Sequence, residues 1–198
     1  MHLGLCSLLG AKAVFLDRDG TINDNRHGYV HTIEEFEFMP GAIEALKELS
    51  KTDYRIVIVT NQSGIGRGFY AEQDFEALSD WFLSTLATEG VRIDRIYHCP
   101  HTPEDRCSCR KPEIGMLSKA VADLGISLKD SWMVGDDAKD ILMGRRANMK
   151  TVKIGDQIPC SLKVQPDAYS DNLQSAVDII LSKKMARSMP VHQRVDSL

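Results

Sequence analysis

The sequence predicts an α/β fold, a Rossmann-like parallel sheet with helices on both faces, on three observations. Short β-branched or apolar runs recur along the chain, stretches of 3.6-residue apolar periodicity separate them, and several runs end on an acid, a hydroxyl or a thiol. The first run, Ala13–Asp17, is continuously apolar up to its carboxylate, as in a strand buried on both faces. Behind Pro40-Gly41, the residues Ile43, Leu46 and Leu49 with Ala42 and Ala45 make one stripe, which predicts a helix over Pro40–Lys51. Arg55–Asn61 is the second strand, and Phe75, Leu78, Trp81, Phe82 and Leu86 mark a helix over Ala71–Thr88. A strand over Arg95–Cys99 precedes a helix over Glu113–Leu124, with Met116, Leu117, Ala120, Val121 and Leu124 as its stripe and Gly125 as its stop. Strands at Ser131–Asp136 and Thr151–Ile154 flank a helix over Ala138–Ala147. A short strand at Asp167–Ser170 leads into a helix over Leu173–Ser182. Such alternation implies right-handed βαβ units, whose ligands sit beyond the carboxyl ends of the strands. The residues there are Asp17, Thr60, Cys99 and Asp136.

The length of 198 residues suits one domain, expected over 11–183 with terminal extensions 1–10 and 184–198. Met185–Leu198 lacks an apolar period and reads as a frayed tail. Hydrophobic residues at 43% and charged residues at 26% are ordinary globular usage, which excludes a largely disordered chain. Lys plus Arg 24 against Asp plus Glu 28 argues against a broad grip on nucleic acid. No apolar run approaches the ~20 residues of a membrane span. The opening MHLGLCSLLGAK has no basic residue before its apolar stretch and no cleavage region after it, so a reduced, cytoplasmic protein is expected rather than a secreted one. Of five cysteines, Cys6 and Cys160 stand apart, while Cys99, Cys107 and Cys109 crowd into one segment, a metal pattern more than a disulfide framework.

Five constellations carry chemistry. Asp17-Arg18-Asp19-Gly20-Thr21 closes the first strand: Asp17 suits a nucleophile, Asp19 lies on the same side two residues on, and Gly20 lets the chain turn away; a plain turn of solvated acids has the same composition. Thr60-Asn61-Gln62-Ser63 offers a hydroxyl and backbone N–H groups to phosphate, or a helix cap. The glycines of Gly64-Ile65-Gly66-Arg67-Gly68 miss the dinucleotide spacing and read as a mobile loop edging the site. Arg110-Lys111 supplies a fork and a point charge for anionic groups, or two solvated cations. Asp136 would converge on Asp17 if their strands are neighbours, an arrangement that Mg²⁺ relieves, whereas Asp137 and Asp140 equally suit the first turn of a helix. Finally, Cys99, His101, Cys107 and Cys109 could close a tetrahedral, structural zinc site; the alternative, free buried thiols, does not explain so much cysteine in an irregular segment.

Taken together and in this order, the motifs resemble the haloacid dehalogenase superfamily of phosphohydrolases from about Ala13 to Ser182. Within it the chain is similar to the small-capped branch of histidinol-phosphatases and heptose bisphosphate 7-phosphatases. His27-Gly28-Tyr29-Val30-His31, the Asn61–Gly68 stretch and Arg110-Lys111-Pro112 with Gly115-Met116-Leu117 tilt it toward the heptose enzymes. The resemblance implies a haloacid dehalogenase fold with a minimal cap and a zinc-binding loop over 99–109. It implies catalytic roles for Asp17, Asp19, Thr60 and Lys111, Mg²⁺ on Asp17, the Asp19 carbonyl and Asp136, and Zn²⁺ on Cys99, His101, Cys107 and Cys109. It implies substrate contacts from Arg26, His27, Gly28, Tyr29, Asn61, Gln62, Ser63 and Arg110. The implied reaction removes the 7-phosphate of a heptose 1,7-bisphosphate in a monomer whose partner is a phosphorylated sugar; histidinol phosphate is the alternative substrate. Asp137 departs from that branch, which more often has a basic or small residue there, so no role passes to it.

Overall fold

A computed structural model describes residues 10–26, 28–159 and 163–188, with side chains as far as 182. Readings that fall on His27, Cys6, Cys160, the N-terminal extension before residue 10 and the tail beyond 188 lie outside the described residues.

Six strands form one sheet: β1 (Ala13–Leu16), β2 (Arg55–Asn61), β3 (Arg95–Cys99), β4 (Trp132–Gly135), β5 (Lys150–Ile154) and β6 (Ala168–Ser170), in the order β3-β2-β1-β4-β5-β6. Every pairing is parallel, as the alternation with helices requires. The helices are α1 (Ala42–Ser50), α2 (Ser63–Gly66), α3 (Glu72–Thr88), α4 (Gly115–Leu124), α5 (Ala138–Arg146) and α6 (Leu173–Ser188).

The period-2 rule sorts the core into two layers. Val14 and Leu16 of β1 point to one face, where Leu46 and Leu49 of α1, Phe82 and Leu86 of α3 and Val177 and Ile180 of α6 cover them. Ala13 and Phe15 point to the other, under Met116, Leu117 and Ala120 of α4 and Met143 of α5. A central strand buried on both sides is rigid, which matters because Asp17 is its next residue.

Three expectations need correction. α6 extends six residues past Ser182, because Lys183 to Arg187 are good helix formers with no Gly or Pro among them, so the tail is helical as far as Ser188. Second, Ser63–Gly66 is a helical turn rather than loop. Its glycines are there for close packing: a Cβ on Gly64 would strike the Tyr70 ring, and one on Gly66 would lie 2.7 Å from the Pro100 carbonyl oxygen. Third, short 3₁₀ turns at Pro103–Asp105 and Leu128–Asp130 have no periodic signature and were not expected. No helix or strand forms between Leu16 and Ala42 among the described residues, so nothing there builds a separate lid.

Candidate active site

The strand order reverses between β1 and β4, and a crevice opens beyond their carboxyl ends. Leu16 pairs with Val134, so Asp17 and Asp136 leave adjacent strands almost level. Gly20 turns the chain away with φ +83°, and a side chain there would collide with the Asp136 carboxylate; only glycine satisfies both demands. Thr21 Oγ1 donates to Asp136 Oδ1 at 3.1 Å. Thr60 and Asn61, the end of β2, Lys111 from the loop before α4, and Asp140 from the first turn of α5 complete the hollow around Asp17, whose volume is about 190 Å³.

Lys111 is the centre of its electrostatics. The side chain is 3% exposed, and its Nζ lies 2.6 Å from Asp17 and 2.7 Å from Asp140. Asn61 clasps the Lys111 backbone at both ends, accepting from its N–H at 3.0 Å and donating to its carbonyl at 3.3 Å. Burial alone would lower the ammonium pKa, but Asp140 and Asp17 outweigh it and hold Lys111 above its usual range. Burial pushes the Asp17 carboxyl up to about 7 against the pull of Lys111, with Asp140 adding to the rise. Burial, then the Asp17 charge, also raises Asp136. Acids that resist ionisation beside one another are what a hard divalent cation relieves. Side-chain oxygens of Asp17, Asp136 and Asp140 lie within 4.8 Å of one another. Asp140 spends one oxygen on Lys111 and the other on the Asp137 N–H at 3.1 Å, and Asp17 likewise meets Lys111 through one oxygen and the Arg18 N–H at 2.7 Å through the other, whereas Asp136 has a single side-chain partner, Thr21.

Asp19 lines the same hollow, and its carboxylate is held by donors of the protein. Arg18 Nη2 reaches both its oxygens at 2.9 Å and Asn23 Nδ2 reaches Oδ1 at 3.0 Å, while Gln62 Nε2 reaches Oδ2 at 2.8 Å.

A second cluster lies in the loop that delivers Arg110 and Lys111. Cys99 Sγ is 3.5 Å from Cys107 Sγ and 3.2 Å from Cys109 Sγ, and His101 Nδ1 is 3.3 Å from Cys109 Sγ. These separations are far too long for disulfides. They approach the edge of a tetrahedron with metal–sulfur distances of ~2.3 Å, roughly 3.8 Å. Burial pushes the Cys99 thiol up; at Cys107 burial is outweighed by the Arg110 N–H and the neighbouring thiols, which bring it down to about 7. Three soft donors and an imidazole that converge in this way fit a closed metal site.

The structure therefore brings Asp17, Asp19, Thr60, Asn61, Arg110, Lys111 and Asp136 to one hollow. Of the other candidate substrate residues among those described, none is on its wall. Gln62 and Ser63 are buried beneath it, Arg26 is exposed and paired with Asp24, and Gly28 and Tyr29 stand on an outer rim where Tyr29 meets Phe69 edge-on at 5.0 Å. For Gln62 and Ser63 the reason is that α2 begins at Ser63 and turns them inward. Asn25 and Lys139 also line the hollow, as do Asp137 and Asp140, which the motifs mark only as acids of a helix's first turn. For Asp140 the available signal was its spacing, one helical turn after Asp136, together with Gly135, where a Cβ would strike the Asp140 carboxylate.

Comparison with known proteins agrees with this geometry. The HAD-hydrolase-like family model matches residues 108–176. D-glycero-β-D-manno-heptose-1,7-bisphosphate 7-phosphatase of Haemophilus ducreyi is 44% identical over 182 residues, 87% of this chain and 98% of that protein. The Escherichia coli K12 protein of the same name is 48% identical over 146 residues, 70% of this chain and 76% of its own. Among solved structures, D,D-heptose 1,7-bisphosphate phosphatase from B. bronchiseptica, complexed with magnesium and phosphate, superposes with a TM-score of 0.77 at 27% identity, covering 87% of this chain and 99% of that one. Sheet order, strand-end carboxylates and near full-length identity converge: the chain belongs to the haloacid dehalogenase-like hydrolases, in the family of the heptose bisphosphate 7-phosphatases.

Proposed function

We propose that this chain removes the 7-phosphate of D-glycero-D-manno-heptose 1,7-bisphosphate, as the β anomer named for its relatives, through a covalent phosphoaspartate at Asp17. The observation that carries this reading is the strand-end carboxylate of Asp17, 2.6 Å from a buried lysine and grouped with Asp136, in a chain 44% identical to a phosphatase of that name.

Asp17 attacks phosphorus in line, the bond from phosphorus to the sugar oxygen breaks, and Asp19 gives that oxygen a proton. Asp19 then takes a proton from the water that attacks the phosphoaspartate, which releases inorganic phosphate and regenerates both carboxyl groups. Thr60 and Lys111 hold the phosphoryl oxygens, and Asn61 keeps Lys111 in place. Magnesium, held by Asp17, Asp136 and the Asp19 carbonyl, would supply the positive charge that screens attack of one anion on another. Zinc on Cys99, His101, Cys107 and Cys109 would have no open position and so would be structural, stiffening the loop that presents Arg110 and Lys111.

The second phosphate has a place nearby. A hollow of about 640 Å³ between this loop and α5 is lined by Arg106, Arg110 and Lys139, with Lys111 at its junction with the reacting site. We place the enzyme, as one phosphatase domain over 11–183 and a monomer, in the cytoplasm, where the clustered thiols stay reduced. No helix among the described residues is long and apolar enough to cross a membrane.

The test is phosphate release with Mg²⁺ from both heptose bisphosphate anomers, histidinol phosphate and fructose bisphosphate, by the native chain and by Asp17→Asn. The expected result is preference for the β-heptose compound and a loss of at least ~10³-fold in the variant. Preference for histidinol phosphate would replace the substrate; retained activity in the variant would overturn the reaction itself.

A further inference from the structure

Asp19 has to meet the departing sugar oxygen, yet its carboxylate is ringed by donors that belong to the protein. Gln62 is the most informative of them. It is 2% exposed and cannot be a substrate contact as it stands. Its Nε2 donates at 2.8 Å to both Asp19 Oδ2 and Thr60 Oγ1, so one amide bridges the residue that handles the leaving group and the residue that holds the phosphoryl oxygens. An amide can be turned end for end, and only its other neighbours decide which end faces the site. Here Tyr70 Oη donates to Gln62 Oε1 at 2.6 Å, and Arg18 Nη2, which can only donate, faces the same oxygen at 3.5 Å. Burial holds the Tyr70 hydroxyl up at about 12, so it keeps its proton at neutral pH.

The surroundings of Tyr70 are built to hold its ring. The ring is 7% exposed, stacks on His31 with centroids 5.0 Å apart, and occupies the space that any side chain at residue 64 would need. The glycine at the start of α2 is thus explained by the tyrosine, and the tyrosine by the amide it orients.

Resting on the phosphatase reading above, we propose that Tyr70 and Gln62 are positioning residues for leaving-group departure: Tyr70 fixes the Gln62 amide so that its N–H group holds the Asp19 carboxyl in register with Thr60. Neither touches the reacting atoms. Their contribution falls on the step in which the sugar oxygen must be protonated, because that step needs the Asp19 carboxyl at one place relative to phosphorus. An ester whose leaving group departs without a proton, such as p-nitrophenyl phosphate, does not need it.

The experiment compares two rates in the Mg²⁺-loaded, zinc-containing full chain: turnover of the heptose bisphosphate, and p-nitrophenolate release in a single turnover with enzyme in excess, which reports the first step alone. Tyr70→Phe keeps the ring and deletes one hydrogen bond; Gln62→Met keeps the length and deletes the amide. In each variant the ratio of the first rate to the second is expected to fall about tenfold, with the larger fall in Gln62→Met, and KM for the bisphosphate to stay within twofold. A ratio unchanged in both variants overturns the proposal, whether both rates fall together or neither moves. Should Tyr70→Phe fail to fold, Gln62→Met alone decides. Asp17→Asn, run alongside, separates the two claims: loss of both rates there with a constant ratio in the variants keeps the phosphatase and rejects the positioning.

Discussion

The thiol cluster and the lysine of the carboxylate cluster share one short stretch of chain, and the two clusters meet the same problem differently. Each gathers groups that repel once ionised to within 4.8 Å. The carboxylates sit on the ends of buried strands, and the protein supplies its own cation: Lys111, 3% exposed and locked by Asn61. Of the thiols, Cys99 is buried at the end of β3, while Cys107 and Cys109 are half-buried in the irregular loop beyond it. The carboxylate cluster thus holds its own counter-charge, whereas on the proposed reading the thiol cluster would take its positive charge from a zinc ion. Preorganised charge belongs where catalysis happens, while a loop too short for its own core would gain rigidity from the proposed metal.

The strongest way to break that contrast is Lys111→Met. Removing the cation leaves Asp17 and Asp140 buried without a counter-charge, a situation that costs about 3–5 kcal/mol, or roughly 10 °C in Tm for a chain of this size. Phosphatase activity should fall at least ~10²-fold as well, since the phosphoryl oxygens lose their cation. Thermal melting and kcat decide it; a variant as stable as the native chain would show that Lys111 is no keystone.

Stripping the loop metal comes next. A chelator strong enough for zinc, or Cys109→Ser, should remove one zinc per chain, lower Tm by several degrees and cut kcat about tenfold, while far-UV circular dichroism stays nearly unchanged because the sheet does not depend on the loop. Collapse of the circular dichroism signal would erase the distinction between the two clusters.

Proton linkage sharpens the comparison further. Asp17 is raised from an ordinary carboxylate value near 3.8 to about 7. Between those values the folded protein holds a proton there that the unfolded chain has released, so the stabilising contribution is full below pH ~4 and is lost as pH climbs toward 7. Magnesium reverses the sense, because it binds the ionised group. The rise in Tm on adding Mg²⁺ to the magnesium-free protein should grow from a degree or two at pH 5.5 to several degrees at pH 8. An equal rise at both would mean that Asp17 is ionised throughout.

These two clusters were not equally legible in the sequence, and neither was fully so. Asp17, Thr60 and Asp136 could be read because an apolar run that stops on a polar residue marks a strand end, and strand ends in parallel sheets point to one edge. The thiol cluster could be read because cysteine crowded into an irregular segment has few other uses. Asp140 stayed hidden for a physical reason: an acid in the first turn of a helix has a sufficient local explanation, and the Asp137 N–H that it caps is real. Its second partner, Lys111, is 29 positions back along the chain. The burial of Gln62 could not be read because burial is a property of the packed chain; the same letters could face substrate or the interior. The glycines at 64 and 66 looked like freedom and turned out to be contact, since what a glycine lacks is visible only once the Tyr70 ring and the Pro100 carbonyl are in place.

The smallest effect expected lies where the two clusters meet. Arg110 follows Cys109 and precedes Lys111, and its Nη1 donates to the His101 carbonyl at 3.1 Å, so the loop that carries the thiols also aims this guanidinium. Its neighbours Arg106 and Lys139 face the same hollow. A partly exposed contact to a second phosphate is worth on the order of 1 kcal/mol, so Arg110→Ala should raise KM for the bisphosphate about fivefold and leave kcat within twofold. For a sugar monophosphate that lacks the distal group, KM should not move. Equal changes with both substrates would place Arg110 with the reacting phosphate, on Lys111's side of the boundary, and the loop would then serve catalysis directly instead of specificity.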